Sequence, residues 1–165
     1  MNIDSLKKLY IEQLKDLHSA ETQLVEALPK MADAASSKEL KDAFTEHLEQ
    51  TKQQRDRIES IFTGLAFKPT GERCQAMAGL VEEAEGLLGD TDNATVRDAA
   101  LVCAAQKVEH YEIGSYGSVC AYAKMLGETD AAKLLDATLQ EEKNTDAKLT
   151  RLAEGWINEA AKANA

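Results

Sequence analysis

The sequence predicts an all-α fold, a four-helix bundle made of two antiparallel hairpins joined by a long crossover that contains a short helix. Three observations carry this prediction. The 165 residues are rich in Ala, Leu, Glu and Lys, with 5% aromatics and two prolines, and no run of alternating β-branched residues suggests a sheet. Apolar residues recur at alternating steps of three and four through four long stretches, the spacing that gathers side chains on one face of a helix. Two of the breaks between these stretches are tight, and the third is about thirty residues long.

Taken in order, Asp4 or Ser5 can cap a first helix over about residues 4–35, whose seam reads Tyr10, Leu14, Leu17, Glu21, Leu24, Leu28, Met31, Ala35. Pro29 removes one backbone donor there and should bend it slightly. "SSKE" then offers a capping box of Ser36 and Glu39 for a second helix, about 37–62. "TGLAFKPTGERCQ" is a loop by its Gly and Pro content. "AMAGLVEEAEGLLG" gives a short amphipathic helix over about 75–89. Asp92 or Asn93 caps a third long helix, 93–126, which Gly127 closes, and the fourth covers about 128–158. Tight turns make helices one and two one hairpin, and three and four the other. The thirty-residue link can cross the length of the bundle, which is the ferritin-like arrangement. The whole chain, 1–165, reads as a single domain.

A net charge of −10 argues against nucleic acid and anionic membranes as partners. "MNIDSLKKLY" lacks the apolar core of a signal peptide and no apolar run approaches a membrane span, so a cytoplasmic location is expected. Cys103 and Cys120 share one helix roughly 25 Å apart and cannot pair without breaking it. Buried or half-buried free thiols are the expectation for these two and Cys74.

The chemistry lies in carboxylates that interrupt apolar seams. The third long helix reads Val102, Ala105, Glu109, Glu112, Tyr116, Val119, Ala123, Leu126, and the fourth reads Leu135, Thr138, Glu142, Asp146, Leu149, Ala153, Trp156. Such groups are costly in a core unless something positive or hydrogen-bonding meets them. Counted from the hairpin turns near residues 36 and 127, Glu21 and Glu112 each lie 15 residues before, while Glu49 and Glu142 lie 13 and 15 after. Glu49 borders the stripe of Leu40, Phe44, Leu48 and Ile58 instead of interrupting it. A second layer, one turn further from the loops, offers His18, Gln53, Glu109 and Asp146. Two layers of oxygen ligands at the waist of a bundle describe a two-metal site. A lone Glu on a seam is more often an edge residue paired with Lys or Arg. His47 reads as a surface or packing histidine, and His110 points about 100° away from Glu109 around the helix. Gly114 and Gly117, inside a helix, suggest close helix approach at the waist or at a dimer contact.

These segments also carry a family likeness. "HSAETQL", "HLEQTKQQ", "RDAALVCAAQKVEHYEIGSYG" and "AAKLLDATLQEEKNTDAKL" closely resemble the YciE/YciF family of bacterial stress-associated proteins, from about residue 3 to 155. The resemblance implies a ferritin-like bundle similar to the rubrerythrin core, found as a homodimer, with a carboxylate-bound site for two divalent ions, iron first. The superfamily's pattern is a Glu on the first and third helices and Glu-x-x-His on the second and fourth. Glu21, Glu49, Glu109 and Glu142 match its glutamates, and Glu112 resembles the extra third-helix Glu of rubrerythrin-like proteins. Both histidines are missing, since Lys52 and Thr145 stand there. Asp146 could replace one and Gln53 the other. The expected ligand set is therefore Glu21, Glu49, Glu109, Glu112, Glu142 and Asp146. An all-oxygen site of this kind also suits manganese, magnesium or calcium. Its six carboxylates would exceed the charge of two divalent ions by two and favour the ferric state. Two functions follow: a di-iron redox protein that oxidises ferrous iron with dioxygen or peroxide, or a non-catalytic helical dimer or adaptor with a structural metal.

Overall fold

The computed structural model describes residues 2–163, and these form the expected bundle. Its helices are α1 (Leu6–Ala34), α2 (Lys38–Leu65), α3 (Gln75–Gly89), α4 (Ala94–Met125), α5 (Thr129–Leu152) and α6 (Asn158–Lys162), with one π-helical turn at Ala153–Ile157. Around the bundle α1 packs on α2, α2 on α5, α5 on α4 and α4 on α1, while α3 lies across α1 and α4. None of the described helices is long and apolar enough to cross a membrane.

The caps explain where the elements stop. Ser5 and Asn93 accept from backbone N–H groups of the first turns of α1 and α4, as the sequence suggests. Gly127, at φ +75°, ends α4. Its own N–H reaches the Lys124 carbonyl at 3.3 Å and Glu128 N–H reaches Ala123 at 3.0 Å, which satisfies two terminal carbonyls. The same pair of bonds ends α2, but with Ala66 in the left-handed position at φ 57°, so the helix runs to Leu65, three residues beyond the expected end at Phe62. Pro29 lies inside α1 without interrupting it.

The second helix starts differently from expectation. Ser37, not Ser36, caps α2, accepting from Leu40 N–H at 3.1 Å, and no capping box forms. The reason comes from α4. Buried Asp98 accepts the backbone N–H of Ser36 at 2.7 Å and of Ser37 at 2.9 Å, so one carboxylate clasps the first hairpin's turn to the start of the second hairpin.

Two apolar clusters fill the bundle. One joins Leu28, Met31, Leu40, Phe44, Leu101 and Leu149 at the end holding the first turn. The other joins Tyr10, Leu14, Phe62, Val119, Ala132 and Leu135 at the opposite end, where the second turn lies. The predicted seam of α1 is buried throughout, including Glu21. The predicted seam of the last helix fails at its end: the π-turn shifts the register by one residue, so Ile157 is buried and Trp156 is 39% exposed. Two further expectations need correction. A Cβ added at Gly114 or Gly117 would meet nothing within 4 Å, so close approach within this chain does not explain either glycine. Cys103 is exposed, whereas Cys74 and Cys120 are buried, and all three are free thiols.

Replacing Asp98 with Ala leaves two backbone donors without their acceptor. The expected loss is about 2–4 kcal/mol, read as a lower urea midpoint, with Asp98→Asn recovering part of it. An unchanged midpoint would show that the turn does not depend on this clasp.

Candidate metal centre

Between the two apolar clusters the core turns polar. Glu21 from α1, His47, Thr51 and Gln54 from α2, Glu109 and Glu112 from α4, and Thr138 and Glu142 from α5 are all buried there. On α2 the inward face steps from Leu40 through Phe44, His47, Thr51, Gln54 and Ile58 to Phe62. On α4 the one-turn pair Glu109 and Glu112 continues to Tyr116 along the same buried face. Every long helix thus contributes at least one charged or titratable side chain to the waist.

The contacts within this set are few. Atoms of His47, Glu109, Glu112 and Glu142 lie within 4.8 Å of one another. A cation bound at roughly 2.1 Å would hold opposite ligands about 4.2 Å apart, so small side-chain adjustments close the set around an ion. His47 Nε2 stands 3.1 Å from Glu109 Oε1 and 4.0 Å from Glu142 Oε2. Tyr116 donates its phenol to Glu21 Oε1, and Gln54 donates its amide to Glu142 Oε1. The Gln54 amide also reaches Glu141 Oε2 at 3.1 Å, which Arg57 grips with two bonds of 2.6 and 2.8 Å. Arg57 therefore orders the edge of the site without pairing with its inner carboxylates.

What is missing decides the chemistry. Glu21 Oε2, Glu109 Oε2, both oxygens of Glu112, Glu142 Oε2 and both nitrogens of His47 are buried without a hydrogen-bond partner. Among the described residues no lysine or arginine forms an ion pair with Glu21, Glu109, Glu112 or Glu142. Unpaired buried carboxylates are expensive, and they become protonated unless a cation is supplied. Burial pushes all four up. Glu109 rises to about 7 although its hydrogen bonding with Glu142 opposes the shift. Glu21 is pushed well above the usual range by burial and then by the charge of Glu142, against the Tyr116 hydrogen bond. Glu112 is driven up by burial and by Glu21, Glu142 and Glu109. Glu142 follows by burial and by Glu109. Burial also pushes Glu141 up, but Arg57 and Gln54 outweigh it and hold that carboxyl below its ordinary value. Five carboxylate oxygens without a hydrogen-bond partner, beside an imidazole 3.1 Å from Glu109, share one buried waist and fit a metal ion.

Of the predicted ligands the structure brings Glu109, Glu112 and Glu142 together with His47; Glu21 is buried at the same waist and bonded by Tyr116, outside that group. Glu49 is corrected: it faces solvent and pairs with Lys52 at 2.6 Å, because α2 turns that edge outward. Asp146 stands at the rim, half-buried, accepting from Gln106 at 3.1 Å with His110 Nε2 3.5 Å away. Gln53 is exposed, and its neighbour Gln54 is the buried amide. His18 pairs with Glu59 at 3.0 Å, away from the set. His47 was the omission. The step of three from Phe44 reaches it, and this spacing was the available signal.

The family comparison agrees with the motifs. The family described as "Domain of unknown function (DUF892)" matches residues 5–162. The chain belongs to this family. It is 48% identical to protein YciF of Escherichia coli K12 over 162 residues, covering 98% of both chains. The crystal structure of the E. coli stress protein YciF superposes with a TM-score of 0.91 at 47% identity, over 94% of this chain and 99% of that one. YcfI of Rhodopseudomonas palustris superposes at 0.88 with 41% identity, over 90% and 95% of the two chains. A protein of Xanthomonas campestris, 20% identical over 97% and 99%, shares the fold at 0.77.

The metal-free protein should carry a pH signature of its buried acids. Their folded pKa values lie above the ordinary 4.5, so the stability tied to protonation is complete below 4.5 and lost as pH rises. For Glu109 the loss runs from about 4.5 to about 7 and amounts to about 3 kcal/mol. Glu141 acts in the opposite sense only at lower pH. Melting temperatures in chelator should fall from pH 5 to 8, and added divalent metal should flatten or reverse the slope. A slope indifferent to metal would contradict this assignment.

Proposed function

We propose that the protein is a dinuclear metal protein of the bacterial stress response, with iron as the first candidate, and that it oxidises ferrous iron with dioxygen or peroxide. The observation that carries the reading is the set of five carboxylate oxygens without a hydrogen-bond partner, beside the His47 imidazole, in a buried waist. Glu21, Glu109, Glu112, Glu142 and His47 would hold the ions, with Asp146 at the rim. Four carboxylates balance two divalent cations, which replaces the excess of negative charge expected from six. The imidazole moves the donor set away from magnesium and calcium and towards iron or manganese. The stress role extends to this chain what is said of the E. coli relative.

When bound, the metal supplies one-electron redox chemistry. With ferrous iron as substrate, two ions each give one electron to hydrogen peroxide, whose O–O bond breaks to give two waters with two protons from solvent. The chain's own part is to hold and dry the site. Tyr116 fixes one oxygen of Glu21, Gln54 fixes one of Glu142, and in each case the other oxygen stays free. We further propose a homodimer as the working form, in the cytoplasm.

Anaerobic titration calorimetry should find about two ferrous ions per chain. Glu142→Ala and His47→Ala should weaken binding at least tenfold, whereas Glu49→Ala should leave it within twofold. Peroxide added to the loaded protein should oxidise the bound iron stoichiometrically, followed by absorbance. Absence of divalent-metal binding by the wild type would remove the reading. Binding without oxidation would leave only a structural ion.

A further inference from the structure

Two small voids lie in series on the His47 side of the cluster. The inner one, about 10 Å³, is bounded by Leu28, Phe44 and Ala105 and closes on His47 and Glu109. The outer one, about 20 Å³, lies under α3, bounded by Leu80, Val81 and Ala104, and reaches Lys30 and Glu85. Leu24, Met31 and Val108 line both, so three side chains form the partition between them. At the outer rim Lys30 and Glu85 are exposed and bonded to each other at 2.9 Å. Each void is of the order of one water-sized molecule. A buried water needs two to four polar partners, and hydrocarbon walls supply none along most of this path.

We propose that the paired voids are a docking route for an apolar diatomic gas, dioxygen, leading from the α1–α3 surface to the His47 and Glu109 edge of the site. This rests on the redox reading above and selects between its two oxidants. Hydrogen peroxide carries two hydroxyl groups and loses their hydrogen bonds in such a path, while dioxygen loses none. Dioxygen would take one electron from each of two ferrous ions and two protons from solvent, leaving as hydrogen peroxide while the ions become ferric. Between its polar ends the path offers van der Waals contact with Leu24, Met31 and Val108, which suits a molecule without charge or a hydrogen-bonding proton.

The route can be read without any metal. In methyl NMR of the metal-free protein under dioxygen against nitrogen, paramagnetic relaxation should rise at least twofold more at Leu24, Met31 and Val108 than at Leu14 and Leu135. The latter are buried in the opposite cluster, away from both voids, and match Leu24 in burial. Equal effects in both clusters would overturn the route, whether or not the protein binds iron. In the iron-loaded protein, Val108→Phe, which blocks the partition, should slow oxidation by dioxygen at least fivefold and leave oxidation by peroxide and ferrous affinity unchanged. Ala104→Leu fills the outer void alone and serves if the larger side chain prevents folding. Equal slowing with both oxidants, or no slowing with dioxygen in a folded variant, would refute the proposal.

Discussion

Four carboxylates are held in the middle of this bundle, and among the described residues only His47 stands within ion-pair distance of them. That burial sets the terms for everything around it. Leucine or valine at those positions would give a continuous core, as the fully buried seams on either side show. Instead the waist separates two apolar clusters, each of which must stabilise its own end of the bundle. With the acids protonated the fold can tolerate them. At neutral pH a multivalent cation is the least costly way to keep them charged and buried. An ion bound there would be linked to folding, because it would offset a penalty that only the folded chain incurs.

The connections keep the four contributions at one height. The hairpin turns lie at opposite ends, so α1 and α4 run antiparallel, and residues midway along each helix meet at the waist. Asp98 strengthens this register from a distance, by tying the first turn to the first part of α4. Its bonds join residues 61 and 62 positions apart, so no local pattern around "SSKE" could reveal them. The local reading placed the cap at Ser36 because it lacked that carboxylate. The π-turn at Ala153–Ile157 is equally hidden, since periodicity assumes a constant step and the inserted residue exchanges Trp156 for Ile157.

The architecture was legible because the α1 and α4 seams keep the three-and-four step through the acidic positions themselves. Glu21, Glu109, Glu112 and Glu142 showed up as polar residues where apolar ones belonged. Helix α2 was harder to read. Its inward face carries His47, Thr51 and Gln54 in sequence, so the stripe nearly disappears over three turns. Matching heights from the turns then favoured Glu49, a residue that the spacing from Phe44 rejects. Height along a helix is one coordinate and angle around it is another. Glu49 has the first and lacks the second.

That correction alters the chemistry as well as the ligand count. With Glu49 outside and Asp146 at the rim, the inner set has four carboxyl groups and an imidazole, whose full ionisation two divalent ions would neutralise. The two ends of the set also differ. Towards the Tyr10 cluster, Tyr116, Gln54 and the Arg57–Glu141 pair fix carboxylate oxygens through hydrogen bonds. Towards the Phe44 cluster the neighbours of His47 and Glu109 are mostly hydrocarbon, and the packing there is loose enough to leave two voids. Hydrogen bonds limit ligand motion at one end, whereas dispersion contacts leave the other free to admit a small apolar guest. A site built this way is oriented from one side and reached from the other. The division follows from which residues follow Phe44 on α2 and Glu109 on α4.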